Sequence, residues 1–399
     1  MDLNKTGVIQ LKKSKEISLL RKHPWVFSGA IHTNTNSLED GLLVYVHDSN
    51  HRRLGFGHFH QGSIAIKMLH FGTDDYKEEF WEQQLRNALQ SRTNLSFPNE
   101  KTNCFRWVHG EGDQLPGLII DVYDQTVVIQ CHTIGMHKIL ACLVKCIPEI
   151  LDRTDLCIID KSVSSLPKEY ARSISNKIIY GTATEIKALE CGYRFTIDVL
   201  EGQKTGFFLD QRENRKILGS YSKNRSILNA FSYSGGFSIY ALAAGAKEVH
   251  SIDVSTKALD LLERNLKLNT VQSTQHRSIC EDAIDYLEKM ESNMYDLIIL
   301  DPPAFAKNMS KRHIAMKAYK RINALAMKKI KSGGLLFSFS CSQVVTEDLF
   351  YHTIVSAGIE SGREIRVLHK LSQGPDHPVS LFHPEGSYLK GLVLEIGNS

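Results

Sequence analysis

The chain has 399 residues, 42% of them hydrophobic and 23% charged, with a formal net charge of +4. That length holds two to four domains of ~100–200 residues, and the composition excludes a wholly disordered or fibrous chain. No apolar run approaches the ~18–20 residues that a membrane-spanning helix needs.

The opening, MDLNKTGVIQLKKSKE, has no apolar centre and no small-residue cleavage site, so a secretory signal is not expected. The eight cysteines include no CxxC pair. They are expected to be reduced thiols of a cytoplasmic protein, and no zinc-ligand spacing appears.

Residues 7–72 show short strand-like runs: GVIQL, LLVYVHD, LGFGHFH and SIAIKML, punctuated by glycines. Close spacing of such runs predicts a small β-barrel or sandwich over 1–72. Nine basic residues face five acidic ones there, which accounts for the whole excess charge. A basic module suggests a polyanionic partner, nucleic acid first, with Arg21, Lys22, Arg52 and Arg53 as candidate phosphate contacts. A mildly basic solvated surface is the alternative.

Residues 73–190 read as a mixed α+β domain. DYKEEFWEQQLRNALQSR has apolar Phe80, Leu85 and Leu89 near helical spacing. Strands follow over 106–131 around Leu115-Pro116-Gly117, then a helix from His137 to Cys146 that ends near Pro148. From 191 to 399 the pattern alternates β and α. Strands are predicted at 226–231, 248–253, 275–280, 295–301, 334–340, 364–370 and 391–396. Helices are predicted at 236–245, 255–268, 282–290, 311–331 and 346–357. Buried runs alternating with helices imply a doubly covered, mostly parallel sheet. The last two strands lack a helix between them, so one is expected to run antiparallel at the far end.

Ligands of such sheets lie beyond the carboxyl ends of the strands. The first strand leads into Asn229-Ala230-Phe231-Ser232-Tyr233-Ser234-Gly235-Gly236, whose small residues allow close backbone approach. The second ends in Asp253, which suits a ribose diol or a helix cap. The third is followed by Asp282, placed for an adenine amine or, again, a cap. The fourth ends in Asp301-Pro302-Pro303-Ala304-Phe305, a carboxylate on a stiff wall beside an aromatic ring.

These features resemble class I S-adenosylmethionine-dependent methyltransferases. The resemblance implies that the first turn holds the methionine part of the cofactor, Asp253 the ribose, Asp282 the adenine, and the Asp301 motif the target group. Asn229 stands where an acid is common in that family, so the amino-acid end is expected to be held differently.

The fifth strand delivers Cys341 between two serines, beside Asp301 if the strands are neighbours. A thiol is needed there for methylation of a pyrimidine ring carbon: thiolate addition at C6 makes C5 nucleophilic. Asp301 is then expected to hold the base edge. The stretch Lys204–Arg215, with Phe208 and Gln211, reads as a lid on the cofactor or as a hairpin packed on the domain. Lys307, Lys311 and Arg312 open a basic run that suits RNA phosphates or a solvated helix face.

Taken together, His23-Pro24-Trp25-Val26-Phe27-Ser28-Gly29, Gly110-Glu111-Gly112-Asp113-Gln114-Leu115-Pro116-Gly117, the 204–214 stretch, Asp301–Phe305, Ser340-Cys341-Ser342 and Asp376-His377-Pro378 resemble the ribosomal RNA large-subunit methyltransferase I family. The resemblance implies a PUA domain, a central α/β domain and a Rossmann-like catalytic domain that makes 5-methylcytosine. Cys341 is then the nucleophile. Phe208, Gln211, Asn229, Phe231, Ser232, Tyr233, Gly235, Asp253, Asp282, Asp301 and Pro302 are expected at the cofactor. The partner implied is large-subunit ribosomal RNA, naked or in early assembly, with a homodimer left open. The second cysteine that many RNA cytosine-C5 methyltransferases carry in the fourth motif is missing. The glutamate base of RNA uracil-C5 methyltransferases is matched by Lys390, with Glu385 close by, which tilts the reading towards cytosine. Uracil-C5 or guanine-nitrogen methylation, and a non-enzymatic assembly factor, remain as alternatives.

Overall fold

The computed structural model describes residues 6–182, 185–269, 273–306 and 308–398. The chain divides into two compact units. The first comprises Met1–Leu189, Ile197–Phe207 and Pro375–Gly386; the second comprises Glu190–Thr196, Phe208–Gly374 and Ser387–Ser399.

In the first unit, β1 (Thr6–Gln10), β2 (Trp25–Phe27), β3 (Leu43–His47), β4 (Arg53–Phe59) and β5 (Ile64–Phe71) form one sheet in the order β1-β3-β4-β5-β2. A bridge between Leu11 and Ile31 joins the chain beyond β1 to the chain beyond β2 and curls the sheet towards closure. Ile9, Val44, Val46, Ile66 and Met68 fill its interior. A second sheet contains β6 (Cys104–His109), β7 (Leu118–Tyr123), β8 (Thr126–Cys131), β9 (Cys157–Asp160) and β10 (Lys177–Tyr180), in the order β10-β9-β8-β7-β6.

Five helices accompany these sheets: α1 (Ile17–Leu20), α2 (Phe80–Asn94), α3 (Ile134–Lys138), α4 (Leu140–Ile150) and α5 (Lys168–Ala171). Helix α2 buries Trp81, Leu85, Ala88 and Arg92, one stripe at helical spacing. Helix α4 runs past Pro148 rather than ending before it. The proline sits in the last turn, where the helix loses one hydrogen bond and continues for two residues.

The Asp376-His377-Pro378 motif, expected with the catalytic domain, belongs to the first unit. Asp376 Oδ2 accepts from the Arg106 backbone N–H at 3.0 Å, and Arg92 donates to the Asp376 carbonyl at 2.9 Å. A Cβ at Gly112 would stand 2.0 Å from the Pro378 carbonyl oxygen. Two motifs some 260 residues apart are therefore parts of one contact, and glycine at 112 is what lets them meet.

After β11 (Lys187–Glu190) and β12 (Tyr193–Thr196), the second unit is built on β13 (Ser226–Ala230), β14 (Glu248–Asp253), β15 (His276–Cys280), β16 (Leu297–Leu300), β17 (Gly334–Ser340), β18 (Ile365–Ser372) and β19 (Lys390–Ile396). Their order is β15-β14-β13-β16-β17-β19-β18. The first five are mutually parallel. Helices α6 (Arg212–Tyr221), α7 (Gly236–Ala243), α8 (Thr256–Leu268), α9 (Ala283–Lys289), α10 (Arg312–Lys329) and α11 (Glu347–Ser361) accompany the strands. The antiparallel strand is the last one, β19, and it lies between β17 and β18 rather than at the edge. With no crossover helix available after β18, the chain returns antiparallel.

Glu190 is fully buried in the second unit. Arg215 grips it through Nε at 2.8 Å and Nη2 at 2.7 Å, and the Tyr240 hydroxyl donates at 2.9 Å. Removing one partner of such a pair strands the other charge in the interior, at a cost of about 3–5 kcal/mol. Glu190→Ala is therefore expected to lower unfolding stability by that order in denaturant titration. A loss below about 1 kcal/mol contradicts the assignment of this pair as a buried anchor.

Candidate active site

Five parallel strands end at one edge of the second unit, and the site is assembled from the residues just beyond each strand end. After β13 the chain makes a tight turn in which Phe231, Tyr233 and Gly235 have φ of +63°, +46° and +82°. Left-handed backbone at two non-glycine residues is costly, about 1–2 kcal/mol each, and the turn is held in place locally. Ser232 N–H donates to the Ile252 carbonyl and Tyr233 N–H to Asp253 Oδ2, each at 2.9 Å. Gly235 opens α7, and a Cβ there would lie 2.5 Å from Leu262 Cγ.

Asn229 is buried and donates from Nδ2 to Ser238 Oγ at 2.8 Å. The chain of polar contacts continues through Ser251 to His276 Nε2. Among the described residues, Asn229 Oδ1 and Ser232 Oγ are buried with no hydrogen-bond partner. Buried polar atoms are normally satisfied, so these two fit a polar ligand seated on the turn.

Asp253 receives the Tyr233 N–H on one oxygen and the Ser255 N–H on the other, at 2.9 Å each. The cap of α8 is Ser255, not Asp253. Asp282 is the cap of α9, accepting from Ile284 and Asp285 at 2.8 and 3.2 Å. Asp301 is half-buried and follows four fully buried residues, Leu297 to Leu300; Pro302 is buried behind it. The Phe305 ring packs on Tyr319, with centroids 4.8 Å apart.

Cys341 follows β17, the strand next to β16, and is half-buried with its Sγ 4.0 Å from the Pro302 carbonyl oxygen. The thiol therefore faces the fourth-motif wall. Two residues around it were not assigned a role from the sequence. Tyr319 on α10 is fully buried, and its phenol is pushed up by burial, with Cys341 and Asp301 adding to the rise. Lys390 begins β19 opposite Ser340. Its Nζ donates to the carbonyls of Ser342 at 2.7 Å and Val345 at 2.6 Å. Tyr319 lies on the face of α10 that carries Ala315 and Ile322, and a hydroxyl on that apolar stripe is the signal that could have found it. Glu385, the other candidate near the C-terminus, lies in the first unit beside His383 and His23.

The 204–214 stretch is not a hairpin. Its end forms a 3-10 turn, Leu209–Gln211, that runs into α6. The Phe208 ring meets Tyr233 edge-on at 5.3 Å. Tyr388 donates to Asp210, while Asn214 Nδ2 donates to Gln211 Oε1 at 2.6 Å and to the Ser372 carbonyl at 3.1 Å. Phe208 thus borders the turn expected to hold the cofactor, while Gln211 is buried and bonded to Asn214.

Of the basic candidates, Arg21, Lys22 and Arg52 are exposed, and the Lys22 ammonium lies 5.2 Å over the Phe71 ring. Arg53 is bonded to Asp75 at 2.6 Å and stacked on Tyr45. Lys311 and Arg312 stand at the start of α10 with no acidic partner within 4 Å among the described residues, whereas Lys320 and Arg321 pair with Glu360 and Glu288. Lys307 lies outside the described residues. One cluster of metal-ligating types occurs among the described residues: His23, His383 and Glu385. The Trp25 backbone N–H donates to His23 Nδ1, and His23 Nε2 faces Glu385 at 3.6 Å.

Residues 166–380 match the family model for S-adenosylmethionine-dependent methyltransferases, and residues 9–71 match that for PUA-like domains. A ribosomal RNA large subunit methyltransferase I from Alteromonas mediterranea is 37% identical over 97% of this chain and 98% of its own. The chain belongs to the ribosomal RNA large subunit methyltransferase I family. The Tolumonas auensis member is 36% identical over the same shares. Among solved structures, a Streptococcus mutans protein described as an S-adenosylmethionine-dependent methyltransferase shares the fold at TM-score 0.83 and 20% identity, covering 98% of this chain and all of that one. SMU.776, solved in complex with SAH, gives 0.84 at 20% identity, covering 98% of this chain and 99% of its own. The family's cofactor is S-adenosylmethionine, and the turn at 229–235 has the buried polar atoms to receive it.

Burial lowers Lys390 from 10.5 to about 8, against the opposing pull of Cys341 and Glu347. Between those values the unfolded chain holds the proton that the folded chain has lost, so stability from this group rises with pH. The full span is worth about 3 kcal/mol. Comparing wild type with Lys390→Met by denaturant titration, wild type is expected to gain relative stability between pH 8 and 10; a gap that does not change with pH contradicts the shift.

Proposed function

We propose that this protein methylates C5 of a cytosine in 23S ribosomal RNA through a covalent Cys341–C6 adduct, in the cytoplasm. The observation that carries the reading is the Cys341 sulfur at the sheet edge, facing the Asp301-Pro302 wall. Methylation of a ring nitrogen or an exocyclic amine has no use for a thiol there. The names of the relatives support ribosomal RNA as substrate, and the PUA-like match supports an RNA-binding module at 1–72. The divisions at 72/73 and 190/191 belong to this proposal, as do phosphate contacts by Arg21, Lys22, Arg52, Arg53, Lys307, Lys311 and Arg312.

S-adenosylmethionine supplies a methyl group on a sulfonium centre. Phe208, Gln211, Asn229, Phe231, Ser232, Tyr233, Gly235 and Pro302 line its place in this reading, with Asp253 accepting from the ribose hydroxyls and Asp282 from the adenine amine. Asp301 holds the cytosine edge. The Cys341 thiolate adds to C6, and its electron pair makes C5 nucleophilic. C5 bonds the methyl carbon as the methyl–sulfonium bond breaks, its pair staying on the donor sulfur as a neutral thioether. The C5 proton then passes to water, its bonding pair restores the C5–C6 double bond, and the C6–S pair returns to the Cys341 sulfur.

Cys341→Ala is expected to reduce methyl transfer by at least about 10⁴-fold while leaving cofactor affinity nearly unchanged. Asp253→Ala should weaken cofactor binding by tenfold or more in calorimetry, the worth of a charge-assisted hydrogen bond of about 1.5–3 kcal/mol. Methyl transfer at the wild-type rate in the first variant contradicts the thiol mechanism, and unchanged affinity in the second contradicts the ribose contact. Nucleoside mass spectrometry of RNA treated with the enzyme should show 5-methylcytidine. Methyluridine or methylguanosine overturns the base assignment, and absence of cofactor binding revives the assembly-factor reading.

A further inference from the structure

We propose that the Lys390 ammonium is the resident counter-charge of the Cys341 thiolate and thereby sets how readily that thiol ionises. The inference rests on Cys341 being the nucleophile and names the residue that tunes it.

The topology brings the two together. Because β19 runs against β17, it begins at the edge where β17 ends, and Lys390 pairs with Ser340, the residue before Cys341. The side chain is 7% exposed, so its charge is not carried by solvent. Nζ donates to the Ser342 and Val345 carbonyls, both in the loop that Cys341 opens, which aims the ammonium into that loop. Two carbonyl dipoles are partial compensation for a full charge. Among the described residues no carboxylate lies within 4 Å of Nζ, and a buried cation without an anion is expensive to hold. A thiolate at 341 completes the pair.

Lys390 and Tyr319 act on the thiol directly, and the carboxylates that act on those two residues are Glu347 and Asp301, so four elements contribute. Lys390 stands on β19, Asp301 follows β16, Tyr319 lies on α10, and Glu347 begins α11. Asp301 and Glu347 are carboxylates, and Lys390 offsets them. Lys390 keeps its proton up to about pH 8, so its pull on the thiol is full below that value and fades above it. During attack the thiol proton leaves to solvent and the thiolate carries the pair that bonds to C6. On release the same pair returns to sulfur, and Lys390 again faces an anion.

The test is iodoacetamide alkylation of the full-length protein across pH, with the Cys341 peptide followed by mass spectrometry. Exposed Cys280 is the internal reference. An opposite charge within ~4–6 Å shifts a titration by about 1–3 units. In Lys390→Met the Cys341 midpoint should rise by at least about one pH unit, roughly tenfold slower alkylation near neutrality. Lys390→Arg, which keeps the cation, should hold the midpoint within about half a unit of wild type by the same charge argument. If Lys390 only clamps the loop, both substitutions change the alkylation rate at every pH by one factor and leave the midpoint in place, which overturns the inference. If Lys390→Met does not fold, the arginine variant still decides: a midpoint raised by a unit despite the retained cation overturns it. None of these outcomes touches the nucleophile reading, which fails separately if Cys341→Ala continues to transfer methyl groups.

Discussion

The site depends on a directional property of the sheet. Parallel strands end together, so the 229–235 turn, Asp253, Asp301 and Cys341, spread over more than 100 residues of chain, arrive at one edge. The antiparallel β19 adds what a parallel strand could not: its first residue, Lys390, enters at that same edge from the opposite direction. Order and direction of seven strands thus place a thiol, two carboxylates and a cation around one end of the sheet.

Holding that edge in shape takes local strain and buried charge. Phe231 and Tyr233 adopt left-handed backbone because neighbouring strands claim their amides or those beside them, and Gly235 leaves room for Leu262. Glu190 with Arg215 and Tyr240 ties the start of the second unit to α6 and α7. In the first unit, Arg106 holds the fully buried Asp121 by two bonds of 2.7 and 2.8 Å, and Asp121 also takes the Thr205 hydroxyl. These are sites where removing a partner costs more than forming the pair contributes.

The large sheet was legible in the sequence because its strands are short apolar runs buried on both faces. The runs predicted at 248–253 and 334–340 match β14 and β17 residue for residue, and the rest differ by one or two residues at most ends. What the pattern could not carry was tertiary. Trp25–Phe27 forms a strand of only three residues after a proline, too short for any alternation to show. The helix predicted to end near Pro148 runs two residues past it, because a proline in a last turn removes just one bond. Family resemblance places Asp376 in the catalytic half, yet its partners are Arg92 and Arg106. Lys390 was visible only as an oddity, a lysine where a related family has a glutamate. Its meaning lies in two carbonyls some 45 residues earlier in the chain.

The covalent mechanism is probed most sharply by RNA in which the target cytosine carries fluorine at C5. Fluorine cannot leave as a cation, so an adduct that has accepted a methyl group cannot collapse. With S-adenosylmethionine present, a denaturant-resistant protein–RNA complex is expected, and its cross-linked peptide should contain Cys341. Turnover of natural RNA under conditions where the fluorinated RNA yields no complex, or a cross-link at another residue, would contradict the mechanism.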